Sequence, residues 1–594
     1  MTPIFCHASL LFVVPGRSAG VCARQVALFR HTFPMVCAFM AIALSNPADI
    51  VIAENGVTDW AIVVEETLPG LQHGAKELQT FLKEISGAEL SIVNKRDRGR
   101  KAIVVRSDRK LREEEYVIRT DANGITISGG GLRGAMYGCY GLLQDVLGCR
   151  WFTSTISRIP RRRRLAVPSL DIREKPAFEY REPFFTEAFE THWAVRNRTN
   201  GNAQRIDESM GGKISYGRFV HTFYEIVSPE VYFKDHPEYF SFVDGRRQDG
   251  YKQLCLTNPD VLRITIAKVE EWIRDNPTAT IFSVSQNDTY SYCQCDACKK
   301  IETEEESPSG PLLRFVNQVA DAIGKKHPNV LIDTLAYQWS EKPPKIERPH
   351  KNVRVRLAPI YACFAHPLNG CEQNRTALAN LKAWSKITNQ LYIWHYCTDF
   401  AHYLQPLPCL DEIAGDIKLF KESGVVGVFD EGAYPPGGCG DMAELKSYLL
   451  ARLMWNPNLD ANAIITEFLN GVYGDAAPMI QEWLDLTHLA AREKNIHATI
   501  YDPPTAAYFS QEMLERGRQL FDEAELKTLT DAQAHEMVRK ARMGLQYLEF
   551  MRTAEGDPKR AARAKELADA IRHFGVQQVS EGGSAAEFLK RIGQ

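Results

Sequence analysis

Residues 409–432 decide the fold: CLDEIAGDIKLFKESG over 409–424, then Val425-Val426-Gly427-Val428-Phe429-Asp430-Glu431-Gly432. Apolar residues recur at helical spacing through Phe420, Gly424 sits where such a helix stops, and a short apolar strand follows that ends in two carboxylates. The same unit of strand, polar strand end, loop and amphipathic helix repeats through residues 175–455. Further strands read at Thr280–Ser285, Val330–Leu335, Val353–Leu357 and Leu391–Trp394, with helices over 259–274, 311–326 and 373–387. Strand and helix alternating at this pitch predict a parallel sheet, and a span of this length suits a central (β/α)8-type barrel. Six or seven strands can be placed, so an open doubly wound sheet is the alternative.

Working outward, residues 50–170 read as a small α/β N-terminal domain, with strand-like Ile50–Ile52, Ala61–Val64, Ala102–Val105, Tyr116–Ile118 and Ile125–Ile127 and a helix from about Leu132 to Leu147. Gly129-Gly130-Gly131-Leu132-Arg133-Gly134 fits G-x-G-x-x-G, yet no Asp or Glu occurs between Asp145 and Asp171 to hold a ribose, so tight-turn glycines are the better reading. Arg161–Arg164 reads as a linker or solvated edge. Residues 456–594 form a C-terminal helical region. The whole is an α/β protein. Residues 1–48 carry Arg17, Arg24, Arg30, no acidic residue and an apolar run from Phe33 to Leu44 ending in small residues, the pattern of a signal peptide with an N-terminal extension. The expected location is secreted or periplasmic.

The 594 residues are 44% hydrophobic and 24% charged, ordinary globular values, with a net charge of −3. No broad basic surface for nucleic acid is expected, and no membrane span in the mature chain. No cofactor motif survives inspection, and the oligomeric state is not legible.

Barrels of this type build their sites at the C-terminal ends of the strands. Those ends lead to His221, to Asn287 and Asp288, to Tyr337 and Trp339, to Tyr361, to His395 and Tyr396, and to Asp430 and Glu431. Carboxylates, amides, imidazoles and rings without a serine elbow or a P-loop form a sugar-binding inventory. Glycosidic cleavage needs a proton for the leaving oxygen and a negative group supporting an oxocarbenium-like centre. Asp288 and Glu431 are the best pair, with Asp430 competing, because adjacent strand residues face opposite ways. His221, Asn287, Tyr337, Trp339, Tyr361, His395 and Tyr396 are the substrate-binding candidates. Cys293-x-Cys295-x-x-Cys298 could hold a structural metal with a fourth ligand from elsewhere, or form a disulfide; no catalytic metal is expected. Of 14 cysteines, three leave with the leader, and the eleven that remain are an odd number.

His236-Pro237-Glu238-Tyr239-Phe240, Leu254-Cys255-Leu256-Thr257-Asn258-Pro259, Ser283–Asp288 with its cysteines, Val428–Gly432 and Leu445–Pro457 resemble the DUF4838 proteins, which include glycoside hydrolase family 163. Gly134-Ala135-Met136-Tyr137-Gly138 and Leu142-Leu143-Gln144 are similar to the domain preceding the barrel in glycoside hydrolase families 20 and 67. The resemblance implies a barrel glycosidase acting on β-linked N-acetylglucosamine in N-glycans in endo fashion, with retention. An exo-acting hexosaminidase, an α-glucuronidase-like enzyme and a non-catalytic carbohydrate-binding protein are the alternatives. Asp430-Glu431 also resembles the Asp-Glu pair of family 20, which implies a second mechanism in which Asp430 orients the substrate's acetamido group while Glu431 is the acid.

Overall fold

The computed structural model describes residues 49–438 and 440–594, so the leader expected over 1–48 lies outside the described residues. Seven strands build the central sheet: β1 (Tyr180–Phe184), β2 (Tyr216–Arg218), β3 (Ile281–Ser283), β4 (Leu331–Tyr337), β5 (Val353–Ala358), β6 (Leu391–Tyr396) and β7 (Gly427–Glu431). Every pairing is parallel, in the order β1-β7-β6-β5-β4-β3-β2. The sheet curls on itself rather than lying open. Arg356, on the middle strand β5, stacks against Tyr180 of β1 and Tyr216 of β2, the two end strands, and those two rings meet at 6.0 Å.

The sheet has seven strands where eight were expected, and β1 and β2 are not paired with each other. Two asparagine side chains occupy the seam. Asn200 Oδ1 accepts from Arg181 N and its backbone carbonyl accepts from Ile214 N, while Asn202 Oδ1 accepts from Tyr216 N and its backbone N–H donates to Tyr180 Oη. They satisfy backbone groups that a further strand would otherwise pair. Because β1 pairs on one side only, it tolerates Pro183.

Helices cover the outer face: α1 (Pro259–Asp275), α2 (Ser309–Lys326), α3 (Arg375–Ser385), α4 (Leu410–Glu422) and α5 (Ala443–Trp455). Asn258 caps α1, its Oδ1 accepting from the amides of Asp260 and Val261. Gly424 takes φ +78° after α4 and turns the chain into β7. The outward residues Val353, Val355 and Leu357 join the apolar layer beneath these helices. The inward face is aromatic and polar. Tyr180, Tyr216, Tyr392 and Phe429 fill the barrel around Arg356, whose guanidinium also faces Asp333 at 3.5 Å. Ser283 and Tyr216 donate to the two oxygens of Asp333, so the buried ion pair has further partners.

The N-terminal part holds a six-stranded mixed sheet of Asp171–Glu174, Tyr116–Asp121, Gly124–Gly129, Ala102–Ser107, Ala61–Val63 and Ser91–Val93, packed on the helices Pro69–Ser86 and Gly134–Gly141. The glycine run is a turn. A Cβ on Gly129 would lie 1.8 Å from Ala135 N, and Gly131 has φ +64°. The Arg161–Arg164 run leads into the strand Arg164–Val167, which pairs with Ile50–Glu54. After α5 come further helices over 461–473, 477–494, 511–527, 532–551, 560–573 and 585–591. That region is not helical throughout: a hairpin of Gln578–Ser580 and Gly583–Ser584 interrupts it. Among the described residues, no helix is long and apolar enough to cross a membrane.

Candidate active site

A cavity of about 200 Å³ opens at the C-terminal ends of the strands, and both Asp288 and Glu431 line it. The register explains which side chains arrive. Trp394 lies opposite Phe429, His395 opposite Asp430, and Tyr396 opposite Glu431. Alternation sends Trp394, Tyr396 and Glu431 inward and His395 and Asp430 outward.

Glu431 is 8% exposed. Burial pushes its carboxyl up to about 8 against the hydrogen bond from Trp394, and the negative charges of Glu581, Asp430 and Asp288 add to the rise. Trp394 Nε1 donates to Glu431 Oε2 at 2.8 Å, fixing the carboxyl's direction. The group is therefore an acid near neutral pH, able to deliver a proton. Asp288 is exposed on the facing wall. Its Oδ1 accepts from Tyr337 Oη at 3.1 Å and from Gln338 Nε2 at 3.3 Å. Two donors on one oxygen orient the carboxylate at the cavity. His221 Nδ1 bonds the Gln286 carbonyl at 2.8 Å, an arrangement that makes Nδ1 the donor and leaves Nε2 as an acceptor. His221 and Gln338 hold φ of +56° and +53°, a strained conformation that marks this rim as over-determined by its surroundings.

The structure thus brings Asp288, Glu431, His221, Tyr337 and Tyr396 to one cavity. The five other candidates lie outside its lining. Asp430 is fully buried and accepts from His395 Nδ1 at 3.0 Å behind the strand, not in the cavity. His395 is equally buried, with Nε2 paired to Glu412 of α4 and facing Asp416 at 3.8 Å. Burial opposes its charge, but Glu412 and Asp430 hold the imidazole well above its ordinary range, so this is a buried charge cluster bracing β6 and β7 against α4. Asn287 is buried scaffold, bonded to Gln253 and to the backbone of Lys252 and Tyr224. Trp339 donates to the Thr289 carbonyl and stacks on Tyr292, outside the cavity lining. Tyr361 is 62% exposed and stacks with Tyr290 at 6.5 Å beside Ile360, a lining residue.

Sequence reasoning missed Trp394, Phe400, Tyr501 and Glu581 as lining residues. Glu581 occupies the turn of the C-terminal hairpin, which is tied to the barrel by Glu581 N to the Phe400 carbonyl and Tyr403 N to the Val579 carbonyl. A turn glutamate 150 residues from Glu431 carries no local signal; alternation at β6 could have found Trp394. Cys293, Cys295 and Cys298 converge with Cys255, and all four thiols are free.

The sequence profile of the family described as "Domain of unknown function (DUF4838)" matches residues 151–485, more than half the chain. The chain belongs to the DUF4838 family. In this DUF4838 protein, residues 54–148 also match the profile "Glycosyl hydrolase family 20, domain 2". No curated protein matches it. Among solved structures, a family GH115 4-O-methyl-α-glucuronidase with specificity for decorated arabinogalactans aligns with TM-score 0.57 at 12% identity, covering 90% of this chain and 78% of its own, which shows a shared fold. A β-N-acetylhexosaminidase from Bacteroides fragilis aligns at 0.41 and 12% identity over 69% of this chain and 89% of its own. A GH20 exo-β-N-acetylglucosaminidase from Vibrio harveyi aligns at 0.42 and 11% over 77% and 76%.

Proposed function

We propose that this chain is a glycoside hydrolase in which Glu431 is the general acid and Asp288 the second carboxylate. The observation that carries the reading is that the two, 143 positions apart in sequence, line one cavity at the strand ends while burial holds Glu431 protonated near neutral pH. Glu431 protonates the leaving oxygen. Asp288 supports the positive anomeric centre as nucleophile or base, or orients the substrate's acetamido group. The variant mechanism using Asp430 is disfavoured, since that carboxylate is occupied by His395 behind the sheet.

The substrate is a glycan containing β-linked N-acetylglucosamine, such as an N-glycan, cut in endo fashion with retention by a secreted or periplasmic enzyme. Two features of the site favour a neutral, extended ligand. Among the described residues no lysine or arginine lines the cavity, whereas a uronic acid would call for a cationic partner. This weighs against the glucuronidase alternative that the GH115 likeness raises. The cavity volume of about 200 Å³ suits a single ring, being below the ~300–1,000 Å³ of drug-sized pockets, and the exposed rings of Tyr290, Tyr361 and Tyr501 lie around it, where further sugars would stack. The match of residues 54–148 to a family 20 domain is a further support for a hexosaminidase-type substrate.

The test is digestion of complex N-glycoprotein, N-acetylglucosaminide and glucuronide substrates by the purified chain, with products read by mass. Whole-glycan release is the expected outcome. Release of single N-acetylglucosamine would replace the endo reading with the exo one, and glucuronic acid release would overturn the substrate class. Binding without turnover, by a chain that binds glycan equally well as E431Q, would favour the non-catalytic reading.

A further inference from the structure

We propose that the chain holds two structural zinc ions, one in a four-cysteine site behind the Asp288 loop and one in a two-cysteine, two-histidine site behind the Tyr501 wall. The first is built by Cys255, just before α1, together with Cys293, Cys295 and Cys298, and one Sγ from each lies within 4.8 Å of the other three. A tetrahedral zinc with bonds of ~2.3 Å sets its sulfurs ~3.8 Å apart, whereas a disulfide requires ~2.05 Å. Cys255 and Cys295 stand at 3.7 Å, the tetrahedral edge.

The surroundings suit thiolates. Phe242 N donates to Cys293 Sγ at 3.3 Å, Arg247 Nη1 approaches the same sulfur at 3.6 Å, and Thr257 Oγ1 lies 3.3 Å from Cys298 Sγ. Four thiolates on Zn²⁺ leave two negative charges, and the guanidinium and the amide offset part of them. The ion would clamp the loop that leaves Asp288 onto the start of α1, so that the second carboxylate stands on a cross-linked base.

The second site rests on separate geometry. Cys363, His366 and Cys371 lie in the long loop after β5, and His497 comes from the segment that reaches Tyr501. Their ligand atoms also lie within 4.8 Å of one another. With Zn–N bonds of ~2.05 Å, a sulfur and a nitrogen on one tetrahedral zinc are ~3.6 Å apart. Cys371 Sγ is 3.5 Å from His497 Nδ1, and Cys363 Sγ is 3.3 Å from His366 Nδ1. His366 Nε2 bonds the Ala491 carbonyl at 3.0 Å, which makes Nε2 the protonated nitrogen and leaves the Nδ1 lone pair for a metal. This ion would join the wall carrying Ile360 to the wall carrying Tyr501. In both sites, binding releases the thiol protons to solvent.

The test uses the full chain purified without chelator. Elemental analysis should give two zinc ions per chain, and zinc X-ray absorption should give an average shell of three sulfurs and one nitrogen. C255S should lose one ion and leave an S2N2 shell, whereas C371S should lose the other and leave an S4 shell. If either variant fails to fold, titration of the unaltered protein with a mercurial should release two zinc ions. One ion with a pure S4 or S2N2 shell overturns the other site. Zinc-free protein that takes up none when offered excess, or intact masses showing these cysteines oxidised in pairs, overturns both.

Discussion

Replacing Trp394 with Phe keeps an aromatic ring and removes one hydrogen bond to the Glu431 carboxyl, which sets the expected shift of its proton. The indole donates to Glu431 Oε2 at 2.8 Å and pulls the raised carboxyl back toward its ordinary range. A hydrogen bond to a charged group contributes ~1.5–3 kcal/mol and one to a neutral group ~0.5–1.5. The ionised form therefore loses ~1–1.5 kcal/mol more than the protonated form, which at ~1.36 kcal/mol per unit raises the pKa by about one. Because Glu431 must be protonated to act, its ionisation is the alkaline limb of kcat/KM, near pH 8 in the unaltered protein. W394F should move that limb upward by about one unit. The assay is kcat/KM against pH on an aryl N-acetylglucosaminide, where the free enzyme's ionisations appear. A limb that stays put, or moves down, would refute the assignment of Glu431 as the proton donor.

Further outcomes follow from the same site. E581Q removes a neighbouring negative charge and should move the alkaline limb down, opposite in sign to W394F. The carboxyl of Glu431 is raised in the fold, so the stability it contributes is present below its ordinary value of 4.5 and is lost as pH rises through about 8. E431Q should therefore melt at the same temperature as the unaltered protein near pH 4 and above it at pH 8.5, a gap readable by calorimetry. H395Q leaves Glu412, Asp416 and Asp430 buried without their cation and should cost ~3–5 kcal/mol in denaturant unfolding. Tyr361→Ala removes an exposed ring and should raise KM for glycoprotein with little change in melting or in kcat on a small aryl glycoside.

Much of this architecture is legible in the sequence because it is periodic. The run Val425–Glu431 alternates at a strand's spacing, and that alternation is what separates Glu431 in the cavity from Asp430 behind it. Asp288 was legible from its place after an apolar strand. β1 was not, because Tyr180-Arg181-Glu182-Pro183-Phe184 carries an ion-paired arginine outward and a bonded glutamate inward, so neither face reads as apolar. At the seam between β1 and β2 the side chains of Asn200 and Asn202 accept from the backbone of Arg181 and Tyr216, a pairing that no hydrophobic period reports. Glu581, Tyr501, Cys255 and His497 reach their partners through long-range packing alone. Cys255 and the Cys363 cluster show the limit well, since each cluster joins residues from separate loops that have no common periodicity.

The reading that Glu431 delivers a proton to the leaving group is tested most directly by comparing E431Q with the unaltered chain on aryl glycosides of graded leaving-group acidity. A substrate whose phenolate departs without help should be cleaved by E431Q at nearly the unaltered rate of glycosidic bond breaking, while a poor leaving group should lose ~10²–10⁴-fold. Equal loss across the series, or none at all, would place the acid elsewhere.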